Sequence, residues 1–159
     1  RGWHRVYVGV GSNMGERQAW IDMAAEALRS DGNNRNFRSA QVIETEPYGY
    51  LEQDKFLNTV FTFETLYEPE ELLLRMQEIE KEAHRERKIH WGPRTLDLDL
   101  LLYDNRITES PVLTIPHPEM TKRLFVLIPL CELNPHGVHP LYRKRFAEYK
   151  EALEQQENK

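Results

Sequence analysis

An α+β sandwich of ferredoxin-like kind, with helices packed on a mostly antiparallel sheet, is the fold class this sequence predicts. Three observations predict it. Apolar residues alternate with polar ones at 5–10, 56–65 and 96–103, the period of half-buried strands. Leu72, Met76, Ile79 and Ala83 recur at the spacing of one helical face. The elements so marked run in the order β-α-β-β-α-β, the pattern of a split βαβ sandwich.

Val6, Val8 and Val10 lie on one side of the first strand, over 5–10. Gly11-Ser12-Asn13-Met14-Gly15 has turn chemistry. A helix is expected over 16–28, where Trp20, Ala24 and Ala27 share a face. The polar run 30–36 reads as a loop, 37–46 as a second strand stopped by Pro47, and 48–55 as a loop around Gly49. In the strand over 56–65, Phe56, Asn58, Val60, Thr62 and Glu64 share one face, and Leu57, Thr59, Phe61 and Phe63 the other. Pro69 suits the first turn of the next helix. Gly92-Pro93 breaks the chain before the strand that follows. Residues 107–115 read as a short hairpin or loop. Pro129 shortens or kinks any helix within 120–133, and 143–156 read as a charged terminal helix.

A chain of 159 residues with 21 basic and 26 acidic side chains fits one domain with a real core. Its net charge of −5 argues against a general nucleic-acid binder. No apolar run reaches membrane-spanning length. The single cysteine, Cys131, lies in an apolar run and reads as a core residue, and a reducing, cytoplasmic setting is expected.

The stretch Trp91-Gly92-Pro93-Arg94-Thr95-Leu96-Asp97-Leu98-Asp99 carries the strongest chemical signal. Strand periodicity sends Asp97 and Asp99 to one face and Leu98, Leu100 and Leu102 to the other. Carboxylates about 6–7 Å apart repel unless a cation lies between them, and hard oxygen ligands suit Mg²⁺. Taken alone, the pair also fits a solvated acidic edge strand. Just ahead of it, Lys81, Arg85, Arg87, Lys88 and Arg94 stand against only Glu82 and Glu86. Such a patch focuses anions, and arginine forks match phosphate oxygens. Carboxylates for the metal and arginines for the remaining oxygens are what a Mg²⁺-bound polyphosphate needs. His117 is held between Pro116 and Pro118. Phe56 and Phe125 could sandwich a flat heteroaromatic ring, with Asn58 reading its edge, although core packing is the better explanation of the two phenylalanines taken alone. Trp91, in a charged segment, reads as a lid residue. Gly9, Gly11 and Gly15 do not make a dinucleotide fingerprint, because Met14 stands where glycine is needed and the phosphate-loop lysine is absent.

Together these segments resemble the 6-hydroxymethyl-7,8-dihydropterin pyrophosphokinase family of folate biosynthesis. The likeness rests on Gly11-Ser12-Asn13-Met14-Gly15, Thr45-Glu46-Pro47-Tyr48-Gly49, Phe56-Leu57-Asn58, Ile79-Glu80, Arg85-Glu86-Arg87, the Trp91–Asp99 run, and Ile115-Pro116-His117-Pro118-Glu119-Met120 through Arg123, Phe125 and Pro129-Leu130. His84, Pro118 and Glu46 depart from the family pattern.

The resemblance implies one pyrophosphokinase domain over 1–159, with mobile loops over the active site. It implies transfer of the terminal pyrophosphoryl group of ATP to the hydroxymethyl oxygen of the dihydropterin, releasing AMP. Asp97 and Asp99 would hold two Mg²⁺ ions. Arg85 and Arg94 would stabilise the transferred group. Arg87, Arg94, His117 and Arg123 would bind ATP, with Gln77, Glu80 and Thr114 on the nucleotide side. Phe56, Phe125 and Asn58 would hold the pterin, with Thr45, Glu46, Pro47, Tyr48 and Trp91 around it. The substrate's proton can go to Asp97, Asp99 or water. The expected partners are small molecules, ATP and dihydropterin, with no nucleic acid and no membrane, and the chain is expected to act as a monomer. The competing readings are another Mg²⁺-dependent phosphoryl or nucleotidyl transferase and a ferredoxin-like RNA-binding module.

Overall fold

The computed structural model describes residues 2–12, 16–45, 56–86 and 96–157, with the backbone alone at Arg85 and Glu86. Seven strands and four α-helices follow one another along these residues: β1 His4–Ser12, α1 Arg17–Arg29, β2 Asn34–Ser39, β3 Ile43–Thr45, β4 Phe56–Thr65, α2 Pro69–Glu86, β5 Leu96–Tyr103, β6 Thr108–Glu109, β7 Thr114–Ile115, α3 Leu124–Leu133 and α4 Phe146–Glu157. A 3-10 turn, Met120–Lys122, precedes α3. The main sheet is ordered β2-β4-β1-β5, and β3 also pairs with β4. Every pairing is antiparallel, and β1 lies between β4 and β5, as the split βαβ arrangement requires. A small β6-β7 hairpin stands apart.

Each face of the sheet has its own core. Val6, Val8, Val10, Phe61, Phe63, Leu98 and Leu100 meet α1 and α2 on one face. Val60, Leu101 and Leu102 meet α3 and α4 on the other. The α2 stripe Leu72, Met76, Ile79 and Ala83 is buried throughout. Full burial of each large apolar side chain stabilises by about 1.5–3 kcal/mol, enough to make this face rather than helix propensity decide the packing of α2. Its start is set locally. Pro69 opens the helix and the Glu71 carboxylate accepts the Glu68 N–H at 2.8 Å. Tyr67 closes the α2 side with a polar triad: its hydroxyl donates to Asp31 at 2.6 Å, and Arg75 donates to the same carboxylate at 3.1 Å. Burial works against the Asp31 charge, but these donors and the Asn33 N–H outweigh it and hold its pKa below the usual value.

Several local expectations change. The second strand, read as 37–46, is two strands, because the ladder breaks at Ala40–Val42. The Ala40 N–H still donates to the Val60 carbonyl at 3.0 Å, but Thr59 donates to the Ala40 carbonyl at 2.9 Å and the Glu132 carboxylate accepts the Gln41 N–H at 3.1 Å, so side chains take over from the ladder at that point. The loop read over 30–36 ends early, since β2 begins at Asn34. Asn36 lies in the left-handed region at φ 55°, inside a bulge where the register shifts between Arg35 and Arg38. Leu102 does not share a face with Leu98 and Leu100. The register slips between Tyr7 and Val8, so that Leu101 is an extra residue and Leu102 joins it in the α3 core.

The terminal helix begins at Phe146 rather than 143, after Val138 and Arg145 have paired. Pro129 lies inside α3. Cys131 is half-buried against the second core, and burial pushes its thiol pKa up, as suits a packing residue. Among the described residues no helix is long and apolar enough to cross a membrane.

His139 is buried under Tyr142, Phe146 and Tyr149, and its Nδ1 accepts the Leu141 and Tyr142 N–H groups at 3.2 and 3.1 Å. Burial holds its pKa below 6.5, so the unfolded chain takes up a proton that the folded chain refuses. Burial also lowers His117. The urea midpoint should therefore be highest above pH 6.5 and fall as the pH drops below it. His139→Asn, which keeps an acceptor near Nδ1, should be less stable at pH 7 but lose less on acidification. Parallel pH dependence in the two proteins would contradict the role assigned to His139.

Candidate active site

The face of the sheet opposite α1 and α2 is filled by α3 over part of its area only. At the β1 C-terminal end a cavity of about 280 Å³ opens, lined by Gly9, Gly11, Thr45, Phe56, Asn58, Thr59, Asp97, Asp99, Arg123 and Phe125 among others. The sheet register makes its floor. Gly11 pairs with Asn58 on one side and Asp97 on the other. Gly9 pairs likewise with Val60 and Asp99. Directly opposed residues share a face, so Asn58, Gly11 and Asp97 form one row across three strands.

Asp97 and Asp99 are exposed on this face while Leu96, Leu98 and Leu100 are buried on the other. The β5 strand is an edge strand, and its outer side is occupied. Glu80 of α2 accepts the Leu98 N–H at 2.7 Å, and the His117 N–H donates to the Leu101 carbonyl at 3.0 Å. Glu80, expected on the nucleotide side, thus holds the backbone between the two aspartates.

Asn58 is nearly buried, and its Nδ2 donates to Thr45 Oγ1 at 2.8 Å. That bond fixes the amide orientation, leaving the oxygen and the second N–H to read a ligand edge. Phe56, at the head of β4, and Phe125, in the first turn of α3, are both half-buried around the cavity. The Arg123 guanidinium stands 5.6 Å from the Phe125 ring centre and also lines the cavity.

His117 is close enough to Asp99 for that carboxylate to raise its pKa, but burial lowers it more and Arg123 lowers it further. The ring is therefore neutral at pH 7. Its Nδ1 accepts the Glu119 N–H at 3.1 Å, so the proton sits on Nε2, available as a donor to an anion.

Gln77, exposed on α2, and Thr114, in β7, do not line the cavity. Glu46, Pro47, Tyr48, Arg87, Trp91 and Arg94, the Arg85 side chain, and the turn at 13–15 lie outside the described residues. Sequence reasoning missed Gly9 and Gly11 as floor residues, although two glycines at i and i+2 opposite Val8 and Val10 carried the signal. It also missed the Thr45–Asn58 bond, for which no local pattern exists.

Among the described residues no group of three or more His, Cys, Asp or Glu side chains gathers to enclose a metal. The Asp97–Asp99 pair fits an open Mg²⁺ site: two hard, exposed carboxylates on one face, with side-chain-free glycines beside them where phosphate oxygens and water can complete the shell.

Glu80→Ala should destabilise the protein by about 1.5–3 kcal/mol, the usual range for a hydrogen bond to a charged group, whereas Glu80→Gln should restore most of the urea midpoint. Equal loss in both variants would show that the carboxylate serves something other than the Leu98 N–H.

The family model described as 7,8-dihydro-6-hydroxymethylpterin-pyrophosphokinase (HPPK) matches residues 7–135. The 2-amino-4-hydroxy-6-hydroxymethyldihydropteridine pyrophosphokinase of Aquifex aeolicus is 39% identical over 145 residues, 91% of this chain and 89% of that protein. The enzyme of the same name from Bacillus subtilis is 41% identical over 128 residues, 80% of this chain and 77% of that one. A crystal structure of HPPK-DHPS in complex with substrates shares the fold, with a TM-score of 0.75 at 13% identity over 99% of this chain and 45% of the longer chain. The chain belongs to the 7,8-dihydro-6-hydroxymethylpterin-pyrophosphokinase family.

Proposed function

We propose that this cavity is where the chain performs the reaction of its family, transfer of pyrophosphate from ATP to the hydroxymethyl group of 6-hydroxymethyl-7,8-dihydropterin. The hydroxymethyl oxygen bonds to the β-phosphorus of ATP. The bond from that phosphorus to the oxygen bridging the α- and β-phosphates breaks. AMP leaves with the bridging oxygen, and the hydroxyl proton is released. The substrate supplies the nucleophile, so the protein's task is positioning and charge neutralisation rather than covalent catalysis.

Phe56 and Phe125 hold the two faces of the pterin, and Asn58, fixed by Thr45, reads its amide edge. Glu46, Pro47, Tyr48 and Trp91 complete the pterin site in this reading. Arg123 and the neutral His117 donate to ATP phosphates, joined by Arg87 and Arg94, with Gln77, Glu80 and Thr114 nearby on the nucleotide side. Arg85 and Arg94 stabilise the charge that develops on the transferred group. Asp97 and Asp99 would hold two Mg²⁺ ions, which when bound supply charge neutralisation along the triphosphate. The chain acts as a single-domain monomer on small molecules, in the cytoplasm.

One observation carries this reading. The row Asn58–Gly11–Asp97 sets an amide reader and a carboxylate on either side of a bare strand, beneath two aromatic rings and an arginine. Neither an acidic edge strand nor an RNA-stacking sheet needs that combination.

Incubation with ATP, Mg²⁺ and the dihydropterin should give AMP and a pterin diphosphate by chromatography. ADP in place of AMP, or nucleotide turnover independent of pterin, would contradict the reading. Asp97→Ala and Asp99→Ala should each lower turnover by about 100-fold or more. Both side chains are exposed, so each variant should unfold within about 0.5 kcal/mol of the parent.

A further inference from the structure

Gly11 is a glycine that its backbone does not require. It lies within β1, and its φ is not in the left-handed region that would demand glycine. A Cβ placed there would meet one neighbour, Asn58 Oδ1, at 3.1 Å. Such a contact is tight but set against a side chain, so the fold could absorb it by a small shift of the amide. Neither conformation nor core packing accounts for the residue. What it leaves is a gap in the cavity floor between Asn58 and Asp97.

We infer that Gly11 is a specificity-determining position, and that the bare strip it makes on β1 measures the length of the substrate. Adjacent strands lie about 4.8 Å apart, so the Asn58 and Asp97 backbones stand about 9.6 Å apart across Gly11. The side chain on one bank reads an amide edge, and the one on the other faces the phosphate chemistry. A flat ligand that engages both must carry its amide edge and its hydroxymethyl arm at opposite ends of two fused rings and cross Gly11 at close range. A single pyrimidine ring with the same amide edge satisfies Asn58 but falls short of Asp97. Any side chain at position 11 would lift or expel the ring that spans the gap. This inference rests on the proposed function and adds to it the feature that selects a fused bicycle.

The test is a double-variant comparison by calorimetry, with 6-hydroxymethylpterin titrated in the presence of Mg²⁺ and saturating α,β-methylene ATP. Gly11→Ala should weaken pterin binding about tenfold or more, the scale of one misplaced methyl group in a fitted pocket. Binding of α,β-methylene ATP alone should stay within about twofold. Asn58→Ser removes the one close contact of the new methyl, so adding Gly11→Ala to it separates a blocked gap from a displaced amide. A further loss of about fivefold or more in that background is expected.

Wild-type pterin affinity in Gly11→Ala would overturn the inference. So would an effect that vanishes in the Asn58→Ser background, which would make Gly11 a packing residue for the amide, or an equal loss of nucleotide binding. If Gly11→Ala does not fold, the double variant against Asn58→Ser decides by the same criterion. Failure of the wild-type protein itself to bind the pterin would instead sink the proposed function, and this inference with it.

Discussion

In β5 every second side chain faces the opposite side of the sheet, and both sides are put to use. Leu98 and Leu100 enter the core under α2, and this burial fixes the register. With register fixed, Asp97 and Asp99 have no choice of face. A slip of one residue would drive two carboxylates into an apolar core, at a cost of several kcal/mol each, and bring leucines into the cavity. The position of the charged pair is therefore enforced by apolar packing on the reverse of the strand. The bulge at Leu101 ends that arrangement immediately afterwards. It turns Leu101 and Leu102 toward α3, after which Tyr103 returns to the core under α1 and α2.

An edge strand with free backbone groups is a poor support for a site that needs fixed distances. Here the backbone between the aspartates is tied to Glu80, and the Leu101 carbonyl to the backbone of His117. The second tie also places the imidazole beside Asp99. A half-buried, neutral histidine there adds a donor without adding positive charge to a site that already has Arg123. In a chain of net charge −5, Arg123 thus stands at the same cavity as two exposed carboxylates.

Features set by neighbours in sequence were legible without coordinates. The α2 stripe, the span of β4 and the alternation of β5 as far as Leu100 follow from periodicity alone, and that periodicity put Asp97 and Asp99 on one face. Features set by residues far apart were not. Glu132 breaks the strand at Gln41 from 91 positions away, and Glu80 reaches Leu98 from another element. The bulge that moves Leu102 arises from pairing between β1 and β5, which neither strand records by itself. Gly11 was read as part of a turn because glycine next to Ser-Asn has turn chemistry. Only the register on both sides of β1 shows it as the floor of a cavity.

The most direct measurement is a crystal structure of the chain with Mg²⁺ and α,β-methylene ATP. Ion density within about 2.1 Å of carboxylate oxygens of both Asp97 and Asp99, bridging to the triphosphate, is the expected result. Nucleotide bound with its metal elsewhere, or with both aspartates facing only water, would contradict the central claim that this strand presents its carboxylates as the metal platform.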